Sequence, residues 1–180
     1  MADPTFDAAL RSFAAERKYG DATLQRWLQL AAGDAAALLA LAQALRPSEN
    51  QLRDLWEWAE EIAARDRVPL AQVLAAEPIA AARRRPVGRN DKIKLIKGEL
   101  RRLRFPQLAA TEERLAALVR ELGLPRNVRL TLPEFLEGDD IRIEITANSR
   151  AALRDAAARL LAAAQTPGCA ALFALLGEAP

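Results

Sequence analysis

Residues 128–146 read VRLTLPEFLEGDDIRIEIT, and within them the spacing of apolar residues changes from about 3.6 residues to about two. Apolar side chains alternate with polar ones from Val128 to Leu132 and again from Ile141 to Ile145. Alternation of this kind predicts two strands, each with one buried and one wetted face. The connection PEFLEGDD is too long for a tight turn, so we expect a hairpin with a wide loop.

Amphipathic helices are predicted in the chain before this hairpin. Ser48 and Gln51 form a capping-box pattern at the start of one helix. Another helix is predicted over residues 90–104, because Pro86 and Gly88 precede it and Pro106 follows it. The helix that follows Ser48 is expected to bury the stripe Leu52, Leu55, Trp56, Ala59, Ile62 and Ala63.

Capping residues and glycines predict further helix boundaries. Asp21 is expected to cap a helix that ends near Gly33, and Thr111 or a neighbour is expected to begin another. The run 35–45 is apolar almost all round, so we expect a central helix there. After the hairpin, Ser149 is expected to cap a helix that buries Leu153, Leu160 and Leu161.

These elements predict an α+β protein that is mostly α. The expected order is an N-terminal helical bundle followed by an α-α-β-β-α unit that contains the two-stranded antiparallel hairpin. A shift in composition divides the chain into a helical N-terminal unit (1–82), a basic linker and helix (83–106) and an α-β-β-α unit (107–180). One continuous domain is the alternative, because 180 residues suit either one core or two small units.

The composition is that of a folded chain, and the sequence favours a cytoplasmic location. Hydrophobic residues make up 51% of the chain and charged residues 28%. The single cysteine, Cys169, excludes an internal disulfide and fits a reducing compartment. The acidic start MADPTFDAAL is unlike a secretory signal. The longest apolar run, 35–45, is shorter than the roughly 20 residues that a membrane span needs.

The residue types that carry most enzyme chemistry are absent or isolated. The chain has no histidine, which removes the commonest general base and metal ligand. Cys169 lies in an apolar run, which is typical of a small core residue. No glycine-rich phosphate loop or nucleophile elbow occurs, and the acidic run EGDD at 137–140 lacks the spacing of a calcium site. We therefore expect a protein that is not an enzyme, with no cofactor and no metal.

One segment concentrates positive charge. Residues 83–106 read RRRPVGRNDKIKLIKGELRRLRFP and contain ten cations and two acids. The segment therefore carries +8, and since the whole chain carries +2, the remainder carries −6. Like charges at neighbouring helical positions repel by roughly 0.2–0.5 kcal/mol per pair, so we expect an anionic partner to offset them.

The helix predicted over 90–104 has a basic stripe beside an apolar stripe. Four cations recur at three- and four-residue spacing, and four aliphatic residues recur one position earlier. Such a helix buries its aliphatic stripe and presents its cations along one edge. The cations are Lys94, Lys97, Arg101 and Arg104, and the aliphatic residues are Ile93, Ile96, Leu100 and Leu103.

This charge pattern predicts contact with nucleic acid. Phosphate backbones attract clustered Lys and Arg because binding releases condensed counterions. We expect an accessory protein that binds nucleic acid, DNA in particular, with little sequence specificity. The predicted binding residues are Arg83, Arg84, Arg85, Arg89, Lys92, Lys94, Lys97, Arg101, Arg102 and Arg104.

Two other interpretations of the basic segment remain open. It docks an acidic protein partner, which would make the chain an interaction adaptor or subunit, or it is a solvated face paired with the chain's own acids. Binding to a membrane surface is not expected, because the apolar stripe carries no Trp. The acids available for internal pairing are Glu57, Glu60 and Glu61 in one helix, or Glu134, Glu137, Asp139 and Asp140 in the hairpin loop.

The hairpin also suggests self-association. A two-stranded hairpin is marginally stable in water without further strands or helices against it. Two copies that pair edge to edge would form a four-stranded sheet, so a homodimer through the hairpin is a further hypothesis.

Three stretches share patterns with one known family: LRPSENQLRDLWEWAEEIAARDRVPLAQVLA (45–75), LRRLRFPQLAATEERLAAL (100–118) and LPRNVRLTLPEFLEGDDIRIEI (124–145). They resemble the helical and hairpin region that follows the nuclease-like domain in some bacterial ParB-like proteins. RDRVPLAQVL and RRLRFP carry most of this similarity. The resemblance implies DNA association and a role near chromosome partition or DNA processing. The sequence shows neither that family's nucleotide-binding domain nor its ParB-box arginine motif, so the resemblance implies only a module that dimerises or touches DNA.

Overall fold

The computed structural model is α+β and mostly helical, as the sequence predicts. The structure describes residues 4–133, 136, 138 and 140–177. The chain divides into two compact units, and the division falls between Arg104 and Phe105.

The first unit is entirely helical among its described residues. Its seven helices are α1 (Pro4–Arg17), α2 (Asp21–Leu28), α3 (Ala32–Leu45), α4 (Glu49–Asp66), α5 (Leu70–Ala75), α6 (Glu77–Arg84) and α7 (Arg89–Arg104).

Helix α4 begins at the predicted capping box. The Gln51 backbone N–H donates to Ser48 Oγ at 3.3 Å, and the Ser48 backbone N–H donates to Gln51 Oε1 at 3.0 Å. The reciprocal bonds satisfy N–H groups that the first turn of the helix leaves without partners. The predicted stripe is confirmed, since Leu52, Leu55, Trp56, Ala59 and Ile62 are all buried.

All seven helices of the first unit contribute buried residues to its core, and two tryptophans lie within it. Trp27 and Trp56 are fully buried, with their ring centroids 6.0 Å apart. The Trp27 indole N–H donates to the Ala35 carbonyl at 3.2 Å, so its polar atom is satisfied inside the core. Helix α3 is buried on several sides, as its apolar sequence predicts, and Asp34 accepts a hydrogen bond from the Ala71 backbone N–H at 2.8 Å.

The predicted boundaries of α2 are wrong. Asp21 is the first helical residue, Gly20 is the N-cap, and Gly33 lies in the first turn of α3 rather than at the end of α2. The reason is a distant carboxylate. Glu49 of α4 accepts hydrogen bonds from the Gly20 backbone N–H at 3.1 Å and from the Thr23 hydroxyl at 2.5 Å, so α2 needs no cap from its own sequence.

Helix α7 begins one residue before the predicted 90–104. Ile93, Ile96 and Leu100 are buried in the core of the first unit, and Leu103 packs against that core. The segment 83–106, which the sequence suggested as a separate basic linker and helix, therefore belongs mainly to the first unit: α7 packs on α4 and α6. The unit boundary lies close to the predicted 106/107.

The second unit combines helices with the hairpin. Its described elements are α8 (Pro106–Glu121), β1 (Val128–Thr131), β2 (Arg142–Ile145), α9 (Arg150–Ala164) and α10 (Pro167–Gly177). Helix α8 begins at Pro106 and not near Thr111, because proline at the first helical position lacks only an N–H that the helix would leave unpaired.

Strands β1 and β2 are antiparallel, with Val128 opposite Ile145 and Leu130 opposite Ile143. This register places the four apolar side chains on one face of the sheet. Val128 is buried, but Ile143 is 37% exposed, so the face is only partly covered within the described residues. Of the loop acids, Asp140 is exposed, whereas Glu134, Glu137 and Asp139 lie outside the described residues.

The N-cap of α9 is confirmed, but its predicted buried face is wrong. Ser149 Oγ accepts a hydrogen bond from the Ala152 backbone N–H at 3.1 Å. Leu153 is 50% and Leu161 62% exposed, while Leu160 is half-buried. The buried residues are Ala156 and Ala163, because α9 packs through its small side chains rather than its leucines.

A small cluster forms the core of the second unit. Leu115 of α8, Leu136 of the hairpin loop, and Leu172 and Leu176 of α10 are buried together. Cys169 is half-buried near the start of α10. No single described helix has the length and apolar composition of a membrane span. The segments α9 and α10 meet that standard only when taken together, and they are bent by 69° at the break between them.

Tyr19 supplies a test of the first unit's packing. Its hydroxyl donates to the Pro47 carbonyl at 2.8 Å, and burial raises the pKa of Tyr19 above its ordinary value of 10.0. The folded state therefore favours the neutral phenol. We expect Tyr19→Phe to lower the free energy of unfolding by about 1 kcal/mol at neutral pH. The difference should be fully present below about pH 10 and disappear as pH rises through the raised folded-state pKa.

Urea unfolding of wild type and Tyr19→Phe over a range of pH measures this difference. The chain contains one tyrosine, so phenolate absorbance of the folded protein follows the same group directly. A difference in stability that stays constant through the titration would contradict the proposed contribution of the neutral phenol.

Candidate nucleic-acid interface

The ten predicted binding residues lie on two helices and one short loop. Arg83 and Arg84 end α6, Arg85 lies in the loop 85–88, and the other seven lie on α7. Hydrogen bonds order this loop, because the Arg85 backbone N–H donates to Ala82, the Val87 N–H to Arg85 and the Lys92 N–H to Gly88. The end of α6 and the start of α7 therefore lie close together, and this region carries the basic residues from Arg83 to Lys94. Lys92 and Lys94 are two positions apart on α7, so their side chains point to opposite sides of the helix.

Lys97 and Arg104 face α4 and are paired with its acids. Lys97 Nζ lies 2.6 Å from Asp54 Oδ2, and Arg104 Nε lies 2.5 Å from Glu61 Oε2. The ring of Trp58 lies beside both cations, at 4.9 Å from Lys97 Nζ and 5.6 Å from the Arg104 guanidinium carbon. We call Asp54, Trp58, Glu61, Lys97 and Arg104 the α4–α7 ladder.

The α4–α7 ladder links α4 to α7, so Lys97 and Arg104 contact α4 instead of pointing only into solvent. Lys97 and Arg104 are seven residues apart, which is about two turns, so both point to the same side of α7. Their side chains are 41% and 28% exposed. Solvent therefore screens the pairs, and each contributes about 0.2–1 kcal/mol to stability.

Internal pairing was an open interpretation of the sequence, and it accounts for part of the stripe. Glu61 was among the acids named, whereas Asp54 was missed. Asp54, Trp58 and Glu61 lie four and three residues apart on α4, away from the face that buries Trp56, and this spacing was the available signal.

The other two acids named on α4 serve a different helix. Glu57 lies 3.6 Å from Arg26 Nη1, and Glu60 pairs with Arg26 Nη2 and accepts the Trp56 indole N–H at 2.6 Å. Arg26 belongs to α2, and its guanidinium carbon lies 4.4 Å from the centre of the Trp56 ring. These acids are therefore not available to α7.

Three more cations of the predicted set are engaged. Arg84 pairs with Glu77 of the same helix at 2.5 Å, with both side chains well exposed. Arg101 and Arg102 also have interaction partners in the protein. The predicted set therefore does not act as ten equivalent charges.

The remaining five cations form what we call the basic corner: Arg83, Arg85, Arg89, Lys92 and Lys94. None of them makes an ion pair with a residue that the structure describes. Arg85, Arg89 and Lys94 are exposed, whereas Arg83 and Lys92 are half-buried. The corner also includes the N-terminus of α7, whose backbone dipoles favour a nearby anion.

The described residues offer no constellation for metal chemistry. No group of three or more Asp, Glu or Cys side chains is arranged to hold a metal ion in that part of the chain. Comparison of the chain with family models, with curated proteins and with solved structures finds no match.

The ladder makes a prediction about stability. In a double-mutant cycle of Asp54→Ala and Lys97→Ala, we expect a coupling energy of about 0.2–1 kcal/mol that shrinks as salt is added. Urea unfolding of the four proteins measures it. The matched control replaces Lys97→Ala with Lys94→Ala, one turn earlier and without a described carboxylate partner. Equal coupling in the two cycles would indicate a general field rather than a specific pair.

Proposed function

We propose that this chain is a non-enzymatic, nucleic-acid-associated accessory protein that binds the phosphate backbone through its basic corner. The observation that supports the proposal is a difference among the ten predicted binding residues. Lys97 and Arg104 have carboxylates of their own, whereas the five cations of the basic corner have none among the described residues.

The corner is suited to backbone contact for a physical reason. Five cations within twelve residues that make no ion pair with any described residue repel one another, and a polyanion offsets this cost while its condensed counterions are released into solution. Contacts of this kind position a protein on a strand and carry little sequence information. The other basic residues of α7 add to the attractive field, because even an exposed ion pair is partly solvated and screened.

The proposed form of nucleic acid and the proposed location rest on the sequence. DNA is the expected partner, because the resemblance to the region of ParB-like proteins implies DNA association. The lone Cys169 fits a reducing compartment, and the cytoplasm is the location that we propose. The resemblance itself stays a prediction.

The test is a salt titration of binding to duplex DNA of random sequence. Neutralising about five phosphates predicts a slope near −4.5 in a plot of log affinity against log salt. The double variant Arg85→Gln/Lys94→Gln should make that slope shallower by about 1.8, because each lost phosphate contact removes about 0.9. Fluorescence anisotropy of a labelled duplex measures the affinity.

The matched control is Arg11→Gln/Lys18→Gln. These two cations lie outside the basic segment, are exposed, and make no ion pair within the described part of the chain. The control removes the same net charge, so it should leave the slope unchanged if the corner is the contact. The proposal would be contradicted if the two double variants had equal salt slopes, or if wild type did not bind duplex DNA at about 50 mM salt.

An interaction adaptor that docks an acidic protein partner is the second candidate. Val87 and Leu95 are each 39% exposed. Val87 lies within the segment that carries the basic corner and Leu95 directly follows it, which gives the segment an apolar component that protein partners use. Nuclease treatment separates the two functions. A partner that co-purifies with the chain after nuclease and high salt would support the adaptor, whereas loss of the associated material would support nucleic acid.

We also propose that the second unit forms a homodimer through its hairpin. In the described part of the chain, β1 pairs only with β2, so each strand keeps one unpaired edge. Edge-to-edge pairing about a two-fold axis would join two hairpins into a four-stranded sheet. The partial exposure of Ile143 fits a face that a second copy completes.

Sedimentation velocity at micromolar concentration tests the dimer. We expect wild type to sediment as a dimer and Ile143→Lys as a monomer, because two like charges would meet near the two-fold axis. Leu153→Lys, which changes an exposed leucine of α9 in the same unit, is the matched control and should remain a dimer. A wild-type monomer would rule out this assembly.

A further inference from the structure

The first unit contains an open cleft of about 380 Å³ beside the basic corner. Three helices line it: Ala44 and Leu45 end α3, Ala80, Arg83 and Arg84 belong to α6, and Lys92 lies near the start of α7. The volume lies within the range of roughly 300–1,000 Å³ that small-molecule sites occupy.

The walls of the cleft divide into two chemical surfaces. Ala44, Leu45 and Ala80 form an apolar wall, and Arg83, Arg84 and Lys92 form a basic one. Among the residues that the structure describes, no carboxylate lines the cleft, although Glu77 pairs with Arg84 from outside it. The cleft therefore keeps about two uncompensated positive charges beside an apolar surface.

Burial and pairing together distinguish Arg83 and Lys92 from the other predicted cations. Five of the ten predicted cations are half-buried, and three of these five, Lys97, Arg101 and Arg104, have interaction partners in the protein. The other two, Arg83 and Lys92, make no ion pair with a described residue, and both line the cleft. Partial removal of a cation from water has a cost unless an anion is near.

We propose that this cleft binds a terminal phosphate monoester whose organic group presents a small apolar surface beside the phosphate. The two uncompensated cations match the charge of the ester, which is between about −1.5 and −2 near neutral pH. Arginine provides paired N–H donors for phosphate oxygens, and lysine provides a mobile point charge. The organic group would lie against Ala44, Leu45 and Ala80.

The concave shape distinguishes this ligand from a duplex backbone. Phosphates of a duplex lie on a convex surface and meet first the exposed cations of the basic corner, Arg85, Arg89 and Lys94, while Arg83 and Lys92 add to the attractive field from the cleft. A cleft with an apolar wall instead fits one small body at a time. The same chemistry has two sources, a free small molecule or the 5′-phosphorylated end of a single strand. Binding in the cleft does not require backbone contact at the corner, although the two share Arg83 and Lys92.

Isothermal titration calorimetry on the full chain tests the site with phenyl phosphate as the probe. Inorganic phosphate lacks the apolar group and phenol lacks the phosphate. We expect phenyl phosphate to bind at least about ten-fold more tightly than either, because the site uses both walls. Phenyl phosphate binding no tighter than inorganic phosphate would overturn the proposal.

Two pairs of variants locate the binding. Ala44→Phe fills the apolar side of the cleft and changes no charge, and it should weaken phenyl phosphate by about ten-fold or more. Ala40→Phe, on the same helix and also exposed but outside the cleft, should have no effect. Lys92→Gln should weaken the probe by a similar factor, whereas Lys94→Gln should not. Equal effects within either pair would overturn the site.

Competition with strands identifies the source of the ligand. If a short 5′-phosphorylated single strand displaces phenyl phosphate and the 5′-hydroxyl strand does not, the site takes strand ends. If neither displaces it, the site takes a free phosphate monoester. Ala44→Phe keeps every cation, so its duplex affinity and salt slope should equal those of wild type. If phenyl phosphate does not bind but duplex DNA does, only the proposed cleft is overturned. If duplex DNA does not bind but phenyl phosphate does, only the proposed backbone contact is overturned.

Discussion

The first unit depends on the way α4 uses its two tryptophans. Trp56 faces the core, 6.0 Å from Trp27, and Trp58 faces α7. Each indole is covered by cations from a different helix, Arg26 in one case and Lys97 with Arg104 in the other. The acids of α4 complete both arrangements, so one helix contacts α2 around the buried Trp56 and α7 around the half-buried Trp58.

Burial of the aliphatic stripe explains why the basic stripe is not uniform. The aliphatic residues Ile93, Ile96 and Leu100 are buried, and burial of apolar surface outweighs any exposed ion pair. Once they are buried, the rotation of α7 is set, and Lys97 and Arg104 lie at the rim of α4. Lys94 lies earlier on the helix and finds no described carboxylate. The stripe is therefore split into an end that stabilises the fold and an end that remains available to a partner.

Local sequence patterns predicted the structural features that depend on residues close together in the sequence. The capping box at Ser48, the extent of α7 and the alternation in the hairpin all follow from residues within a few positions of each other, and the structure confirms them. Distant partners were not predictable in the same way. Glu49 caps α2 from across the unit, and Asp54 pairs with Lys97, although neither sequence position signals the other. The buried face of α9 was wrong because hydrophobicity favoured leucines, whereas close packing favours alanines.

The cleft and the basic corner share two residues, so an anion bound at one site changes the affinity of the other. Arg83 and Lys92 line the cleft and belong to the basic corner. An anion bound in the cleft would cancel part of the field that attracts a phosphate backbone, and a bound backbone would raise the cost of placing another anion beside it. Linkage makes this effect reciprocal, with the same coupling free energy in each direction.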